Sequence, residues 1–252
     1  MFEVIQEELK KIEQQENIRI LHCAESGSRA WGFASPDSDY DVRFIYIRPL
    51  NDYLKLEKVR DVIELPINND LDINGWDLRK TLVLLHRSNA SLFEWFRSST
   101  IYRHTDFSDE FQEIMGRYFI TGKGLYHYLS MARGNYREYL KGDMVKVKKY
   151  FYVLRPILAC RWIIRTKSIP PILFNDLAQS ELPDSLRNDV SKLLYIKMHN
   201  PELKLIPKIE ILNNYIEEEL ANIQYEINRF NVDPIADYKE LDKFFLKWVK
   251  WL

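Results

Sequence analysis

The sequence predicts an α+β protein, in which a small mixed β-sheet unit over residues 1–105 is followed by an all-helical unit over residues 106–252. Two observations predict this division. Short runs of branched and aromatic residues, typical of strands, are confined to the first hundred positions, and long amphipathic segments fill the rest. A hydrophobic content of 46% and a charged content of 29% are those of a chain that folds around a core.

The sheet unit begins with an amphipathic helix, because Ile5, Leu9 and Ile12 recur at spacings of four and three among charged residues. Asp77 is placed to cap a later helix that begins at Leu78. Between these two helices, four short runs rich in apolar residues predict strands over residues 18–24, 41–47, 60–66 and 71–73.

In the second half the apolar residues follow helical spacing and no strand pattern is present. The predicted helices cover about residues 109–140, 145–167, 183–198, 208–230 and 236–251. Pro170 and Pro171 interrupt this half, and we interpret them as a bend within one unit. The last eighty residues indicate no chemistry of their own.

Cysteine usage and hydropathy favour a cytoplasmic protein. Cys23 and Cys160 lie in apolar surroundings, so we expect two buried thiols and no disulfide framework. The first fifteen residues have the pattern of an amphipathic helix and not of a secretory signal. Since no apolar run approaches the roughly 18 residues of a membrane span, we expect no membrane partner.

The formal net charge of −1 conceals an uneven distribution. Between Arg117 and Lys167 there are twelve lysines or arginines and only two acids. About half of these cations are expected to belong to ordinary solvated helix faces. The excess still favours an anionic ligand, and it slightly favours RNA because it exceeds what one triphosphate needs.

The segment that carries chemistry runs from Gly27 to Asp41. Gly27 and Ser28 directly follow a predicted strand, and Asp39 and Asp41 begin the next one after ten intervening residues. Residues two apart on a strand face the same side, and two adjacent carboxylates repel each other unless a cation such as Mg²⁺ or Mn²⁺ lies between them. Gly27 lets the backbone approach a phosphate, to which Ser28 donates. A plain polar turn is the alternative interpretation.

The pattern Gly27-Ser28, ten residues and Asp39-Tyr40-Asp41 resembles the signature of the DNA polymerase β-like nucleotidyltransferase superfamily. Two later stretches, LDINGWDLRK and KKYFYVLRPILACRW, extend the likeness to the predicted nucleotidyltransferases found beside RNA ligases. The resemblance implies that a nucleoside monophosphate moves from an NTP, such as ATP, to a hydroxyl and that pyrophosphate leaves. It leaves two acceptors open, an RNA end in RNA repair or a partner protein.

The resemblance also implies a third carboxylate on a neighbouring strand. Asp72 is our choice, because LDI has the form of a central strand whose one polar residue faces the open side of the sheet. A buried carboxylate without a partner would be costly, and this favours a metal role for Asp72. Asp70 and Asp77 remain alternatives, with a turn and a helix cap as their structural interpretations. Arg29 and Arg43 flank the proposed metal site, and we expect them to contact phosphate.

A second group of candidate ligands lies on the predicted helix over residues 145–167. Lys148, Tyr152 and Arg155 recur at spacings of four and three, and Lys149 lies one turn from Tyr152. We expect the two lysines and Arg155 to bind triphosphate oxygens and Tyr152 to offer its ring or hydroxyl. For Tyr152, a half-buried aromatic is an equal alternative.

A second functional hypothesis is a catalytically silent nucleotide- or RNA-binding protein, since the superfamily contains members that have lost carboxylates. The two carboxylates retained here and the third candidate favour the enzyme.

Overall fold

The computed structural model describes residues 1–67, 70–199, 205–229 and 237–250. The chain forms two compact units. The first comprises residues 1–30, 39–118 and 235–252, and the second comprises residues 31–38 and 119–234, in each case as far as they are described.

The first unit is built on a β-sheet with helices packed on it. Its strands are β1 (Arg19–Glu25), β2 (Tyr40–Ile47), β3 (Val62–Glu64), β4 (Leu71–Asp77) and β5 (Ile101–Arg103). Its helices are α1 (Phe2–Glu16), α2 (Gly27–Ala30), α3 (Leu50–Tyr53), α4 (Leu78–His86), α5 (Ala90–Trp95), α6 (Asp106–Met115) and α12 (Lys239–Val249), with a 3₁₀ turn at Gly116–Tyr118.

The strand order of this sheet, among the residues described, is β3-β4-β2-β1-β5. Strands β2 and β4 are parallel, and the other pairs are antiparallel, so the sheet is mixed as predicted. The predicted apolar stripe of α1, Ile5, Leu9 and Ile12, is buried in one core cluster with Val42 and Phe44 of β2. Removal of this apolar surface from water holds α1 on the sheet.

The second unit is mainly helical. Its helices are α7 (Thr121–Tyr139), α8 (Val147–Thr166), α9 (Phe174–Glu181), α10 (Asp184–His199) and α11 (Glu210–Ile227). Two short strands, β6 (Met144–Lys146) and β7 (Leu205–Pro207), pair antiparallel beside them. Helix α8 packs against both α7 and α9.

The predicted α+β class is confirmed, and the structure differs from the prediction in several details. The pair β6–β7 means that the second unit is not all-helical, and β5 was not predicted. The helix predicted over residues 109–140 is interrupted, because α6 ends at Met115 and α7 begins at Thr121. Of the predicted helix ends, residues 230, 236 and 251 lie outside the described residues.

The predicted boundary between residues 105 and 106 also differs from the division observed. Helix α6 packs against β1, and α12 packs against α4, so both helices belong to the sheet unit. Phe107 of α6 is fully buried and its ring lies 5.3 Å from that of Trp248 in α12. Helical spacing alone does not tell whether a helix covers a sheet or another helix, and this explains the difference. No helix in the described ranges is long and apolar enough to cross a membrane.

Candidate functional site

Two of the predicted carboxylates lie side by side in the sheet. Asp41 of β2 and Asp72 of β4 are opposite each other in the parallel register, and both side chains are partly buried. The guanidinium of Arg43 lies between them, and its Nη2 donates to Asp41 Oδ1 at 3.1 Å and to Asp72 Oδ2 at 2.7 Å. A positive group between two carboxylates offsets the repulsion that the sequence predicts for them.

Arg43 therefore contacts carboxylates, whereas the sequence analysis expected it to contact phosphate. Its Nη1 also donates to the backbone oxygens of Asp72 at 2.9 Å and of Val42 at 3.1 Å. Arg43 lies two residues after Asp41 on the same strand, so the alternation of β2 places both side chains on one face. Arg43 offsets part of the negative charge of the carboxylate pair.

The electrostatic state of Asp41 follows from its surroundings. Burial raises the pKa of the Asp41 carboxyl, the charge of Arg43 opposes this increase, and the charges of Asp72 and Asp39 add to it. A further cation near Asp41 would favour its ionised form, since opposite charges within a few ångströms do so in general.

Gly27 and Ser28 approach this pair from the end of β1. Gly27 has a positive φ of 59°, and a Cβ at this position would lie only 1.9 Å from Asp41 Oδ2. The adjacent Ser26 donates its backbone N–H to the backbone oxygen of Asp41 at 2.8 Å. Ser28 is buried at the start of α2. A side chain at position 27 would displace the Asp41 carboxylate, so the turn requires glycine here.

Asp39 and Arg29 lie at the same end of the sheet. Asp39 is exposed just before β2, and its backbone oxygen accepts a hydrogen bond from Arg29 Nε at 3.2 Å. The guanidinium of Arg29 lies over the ring of Tyr40, 3.7 Å from the ring centre. The sequence analysis expected Asp39 to begin this strand beside Asp41, whereas β2 begins at Tyr40 and Asp39 precedes it.

The geometry distinguishes the three candidates for the third carboxylate. Asp77 accepts the backbone N–H of Arg79 at 2.8 Å and caps α4, as predicted, and it lies opposite Tyr46 at the far end of β4. Asp70 is exposed and precedes the strand. Asp72 is the candidate that lies opposite Asp41, and this supports its assignment.

Glu25 belongs to the same cluster, and the sequence analysis did not find it. This last residue of β1 is buried, its Oε1 accepts the backbone N–H of Asp41 at 2.8 Å, and its Oε2 accepts the hydroxyl proton of Tyr102. Burial raises the pKa of Glu25. The signal that could have revealed it is a carboxylate at the end of an otherwise apolar strand, where an unpartnered charge is costly.

The other predicted ligands lie in the second unit. Lys148 is exposed, and the Lys149 ammonium lies 3.4 Å from the centre of the Tyr139 ring. Burial, with the charge of Lys148, lowers the pKa of Lys149. Tyr152 is half-buried, with its ring edge-on to Trp31 at 5.4 Å. This is the packing alternative considered for Tyr152.

Arg155 contradicts the expectation that it binds phosphate. Only 1% of its surface is exposed, its Nε donates to the backbone oxygen of Ile172 at 3.2 Å, and its guanidinium lies 4.5 Å from the centre of the Trp31 ring. The face of α8 that carries Arg155 turns into the helical core, so the arginine stabilises that core. Helical spacing does not indicate how deeply each residue of a face is buried, since Lys148 is exposed and Arg155 is not.

The carboxylate pair fits a divalent cation in donor type, because carboxylate oxygens are the ligands that Mg²⁺ prefers. A metal ion held by Asp41 and Asp72 would offset the negative charge of the pair that Arg43 leaves uncompensated. As it stands, no group of three or more His, Cys, Asp or Glu side chains in the described part of the chain is arranged to hold a metal ion.

Comparison with known proteins gives three findings. The sequence model of the RNA repair pathway DNA polymerase beta family matches residues 1–247. The uncharacterized protein YcgL of Bacillus subtilis (strain 168) is 42% identical over 246 residues, which cover 97% of this chain and 95% of that protein. The sequence in a crystal structure of a nucleotidyltransferase-like protein from Exiguobacterium sibiricum 255-15 is 12% identical to this chain. The match covers 87% of this chain and 73% of that one, and a TM-score of 0.30 is too low to establish a common fold.

Proposed function

This chain belongs to the RNA repair pathway DNA polymerase beta family, and on that premise we propose that it is a metal-dependent nucleotidyltransferase. It transfers a nucleoside monophosphate from an NTP to a hydroxyl acceptor and releases pyrophosphate. The observation that carries the proposal is the pair of carboxylates, Asp41 and Asp72, held side by side next to the glycine backbone at Gly27.

In the proposed reaction, the acceptor oxygen forms a bond to the α-phosphorus of the NTP. The bond from this phosphorus to the bridging oxygen breaks, and pyrophosphate leaves. Bound divalent ions would neutralise the charge that develops on the phosphate oxygens. Asp39, Asp41 and Asp72 hold these ions, and Asp72 accepts the proton of the attacking hydroxyl. Gly27 and Ser28 hold the β- and γ-phosphates.

Two of the residues near this site support it indirectly. Glu25 fixes the backbone of Asp41, and Arg43 keeps the two carboxylates together before substrate binds. Rigid positioning of this kind is worth several kilocalories per mole in enzymes, since the reacting groups need not be ordered at the moment of reaction.

We propose an RNA end as the acceptor. The description of the family names RNA repair, and the excess of lysine and arginine between Arg117 and Lys167 supports a polyanionic acceptor. A hydroxyl on a partner protein is the alternative, and one experiment distinguishes the two.

In this experiment the purified protein is incubated with Mg²⁺, each α-³²P-labelled NTP in turn, and either total RNA or lysate protein. Retention of label in the RNA fraction, with release of pyrophosphate, is the expected result. Label in the protein fraction would instead identify a protein hydroxyl as the acceptor. Binding of NTP without Mg²⁺ and without pyrophosphate release would identify a silent binding protein instead.

Three variants connect the activity to the site. We expect Asp41→Asn and Asp72→Asn each to lower transfer by about 100-fold or more, because the stabilisation supplied through a bound metal is worth several kilocalories per mole. Asp70→Asn is the matched control, since it removes an exposed carboxylate from the same segment. Undiminished transfer in Asp41→Asn would refute the mechanism, and loss of transfer in Asp70→Asn would refute the choice of Asp72.

A further inference from the structure

A second charged pocket lies in the first unit, away from the carboxylates. Its volume is about 360 Å³. Of the fifteen described residues that line it, seven are lysine or arginine and four are aspartate or glutamate. We call it the basic pocket. Its charge is opposite to that of the carboxylate site.

The basic pocket is at the opposite end of the parallel strands. Arg48 directly follows β2, seven residues after Asp41, and Asp77 is the last residue of β4. At the usual rise of a strand, seven residues span about 23 Å. A ligand in the basic pocket therefore does not touch Asp41 or Asp72.

The acidic residues of this pocket are mostly engaged within the protein. Asp52 pairs with Lys55 at 2.6 Å, and Asp61 pairs with Lys80 at 3.4 Å. Asp77 caps α4. These contacts use two of the seven cations and leave the pocket with an excess of positive charge.

Three other cations of the pocket have no carboxylate partner in the described part of the chain. Lys58 and Arg87 are exposed and form no ion pair, and neither does Arg79, whose guanidinium lies 5.1 Å from the centre of the Tyr53 ring. Like charges gathered in one concave surface repel each other, so an anion bound there would be stabilised.

Arg48 gives the second and independent indication of a ligand. Only 9% of this residue is exposed, and its Nε is buried without a hydrogen-bond acceptor among the described residues. Its other side-chain nitrogens make long contacts, at 3.5 Å to the backbone oxygens of Glu16 and Arg60 and at 3.9 Å to the Glu16 carboxylate. Its guanidinium lies 5.2 Å from the centre of the Tyr46 ring. Burying a guanidinium with so few hydrogen-bond acceptors is costly, unless a bound anion supplies the missing acceptors.

We propose that the basic pocket binds the phosphate group of a small phosphorylated molecule, of about the size of a mononucleotide, without a metal ion. The volume lies in the usual range for small-molecule sites. Arg48 is the buried donor, and arginine suits phosphate because its planar group donates two parallel hydrogen bonds. Lys58 and Arg87 add exposed charge. This site is separate from the proposed transferase reaction and does not depend on it.

The test is calorimetric titration of the full-length protein with AMP, and with inorganic phosphate, in buffer that contains EDTA. Lys58→Gln/Arg87→Gln removes two exposed cations of the pocket. Lys10→Gln/Lys11→Gln removes two exposed cations from α1 and serves as the matched control. We expect the first double variant to weaken AMP binding by about tenfold or more, and the control to leave it unchanged. Arg48→Gln is expected to weaken it further.

Asp41→Asn is a second control and should bind AMP as the wild type does. If it abolishes binding, the ligand occupies the carboxylate site and the proposal is wrong. Equal weakening in both double variants, or no binding to the wild type, would also overturn it. A 5′-phosphorylated RNA oligonucleotide is titrated in parallel. Binding of this RNA without binding of AMP or phosphate would exclude a small-molecule ligand. None of these outcomes depends on nucleotidyl transfer.

Discussion

Replacing Gly27 with alanine tests whether the turn after β1 is shaped around the Asp41 carboxylate. The φ of Gly27 is 59°, in the left-handed region, where a residue with a Cβ costs about 1–2 kcal/mol of conformational free energy. The added Cβ would also lie 1.9 Å from Asp41 Oδ2 and 2.8 Å from its Cγ. Atoms cannot remain at these distances, so the Asp41 side chain must move.

The cost of this movement follows from the contacts of Asp41. Its carboxylate would give up the 3.1 Å ion pair with Arg43, and a partly exposed pair of this kind is worth up to about 1 kcal/mol. Added to the backbone cost, this predicts that Gly27→Ala lowers the free energy of unfolding by about 1–3 kcal/mol. We also expect loss of nucleotidyl transfer, because Asp41 no longer lies opposite Asp72.

The assay is urea unfolding of the wild type and of two variants, followed by circular dichroism. Gly116→Ala is the matched control, since Gly116 lies in the same unit with a φ of −60° and has nothing within 4 Å of an added Cβ. Its free energy of unfolding should remain within about 0.5 kcal/mol of the wild type. If Gly27→Ala is as stable and as active as Gly116→Ala, the reasoning about the turn is refuted.

Three further predictions concern buried groups. Burial lowers the pKa of His22 from 6.5 to about 4, so the folded state loses stability as the pH falls from 6.5 towards 4. His22→Phe should therefore remove up to about 3 kcal/mol from the difference in the free energy of unfolding between pH 7 and pH 4. An unchanged pH dependence would contradict it. Burial raises the thiol pKa of Cys23 and Cys160, so a thiol reagent at pH 8 should modify both only after unfolding; rapid labelling of the native protein is the contrary result. Arg155→Met should lower the free energy of unfolding by about 1–3 kcal/mol and Lys148→Gln should not, and equal stability of the two variants in urea would argue against a structural role for the arginine.

Much of the fold could be predicted from periodicity alone. The stripe of Ile5, Leu9 and Ile12 is buried as its spacing indicates, and Asp77 caps its helix. Cys23 and Cys160 are both buried free thiols, as their apolar surroundings predicted. These features depend on neighbours in the sequence, so local patterns are sufficient to find them.

Features that depend on distant residues were the ones predicted wrongly or missed. The strands β6 and β7 are more than fifty residues apart, and each is too short to show an alternating pattern. Helix α12 has the spacing of any amphipathic helix, and nothing in that spacing shows that it returns to the sheet unit. An amphipathic helix has the same apolar stripe whether it packs against a sheet or against another helix.

The candidate site divides in the same way. The sequence by itself determined the residue types: a glycine and a serine after one strand, carboxylates at the start of the next, and Asp72 as the preferred third. Tertiary structure alone decided that Asp72 lies opposite Asp41, that Arg43 lies between them, that Glu25 holds the backbone of Asp41, and that Arg155 is buried. The physical reason is that register and burial are set by the pairing of whole strands and the packing of whole helices, and these energies are summed over residues far apart in the chain.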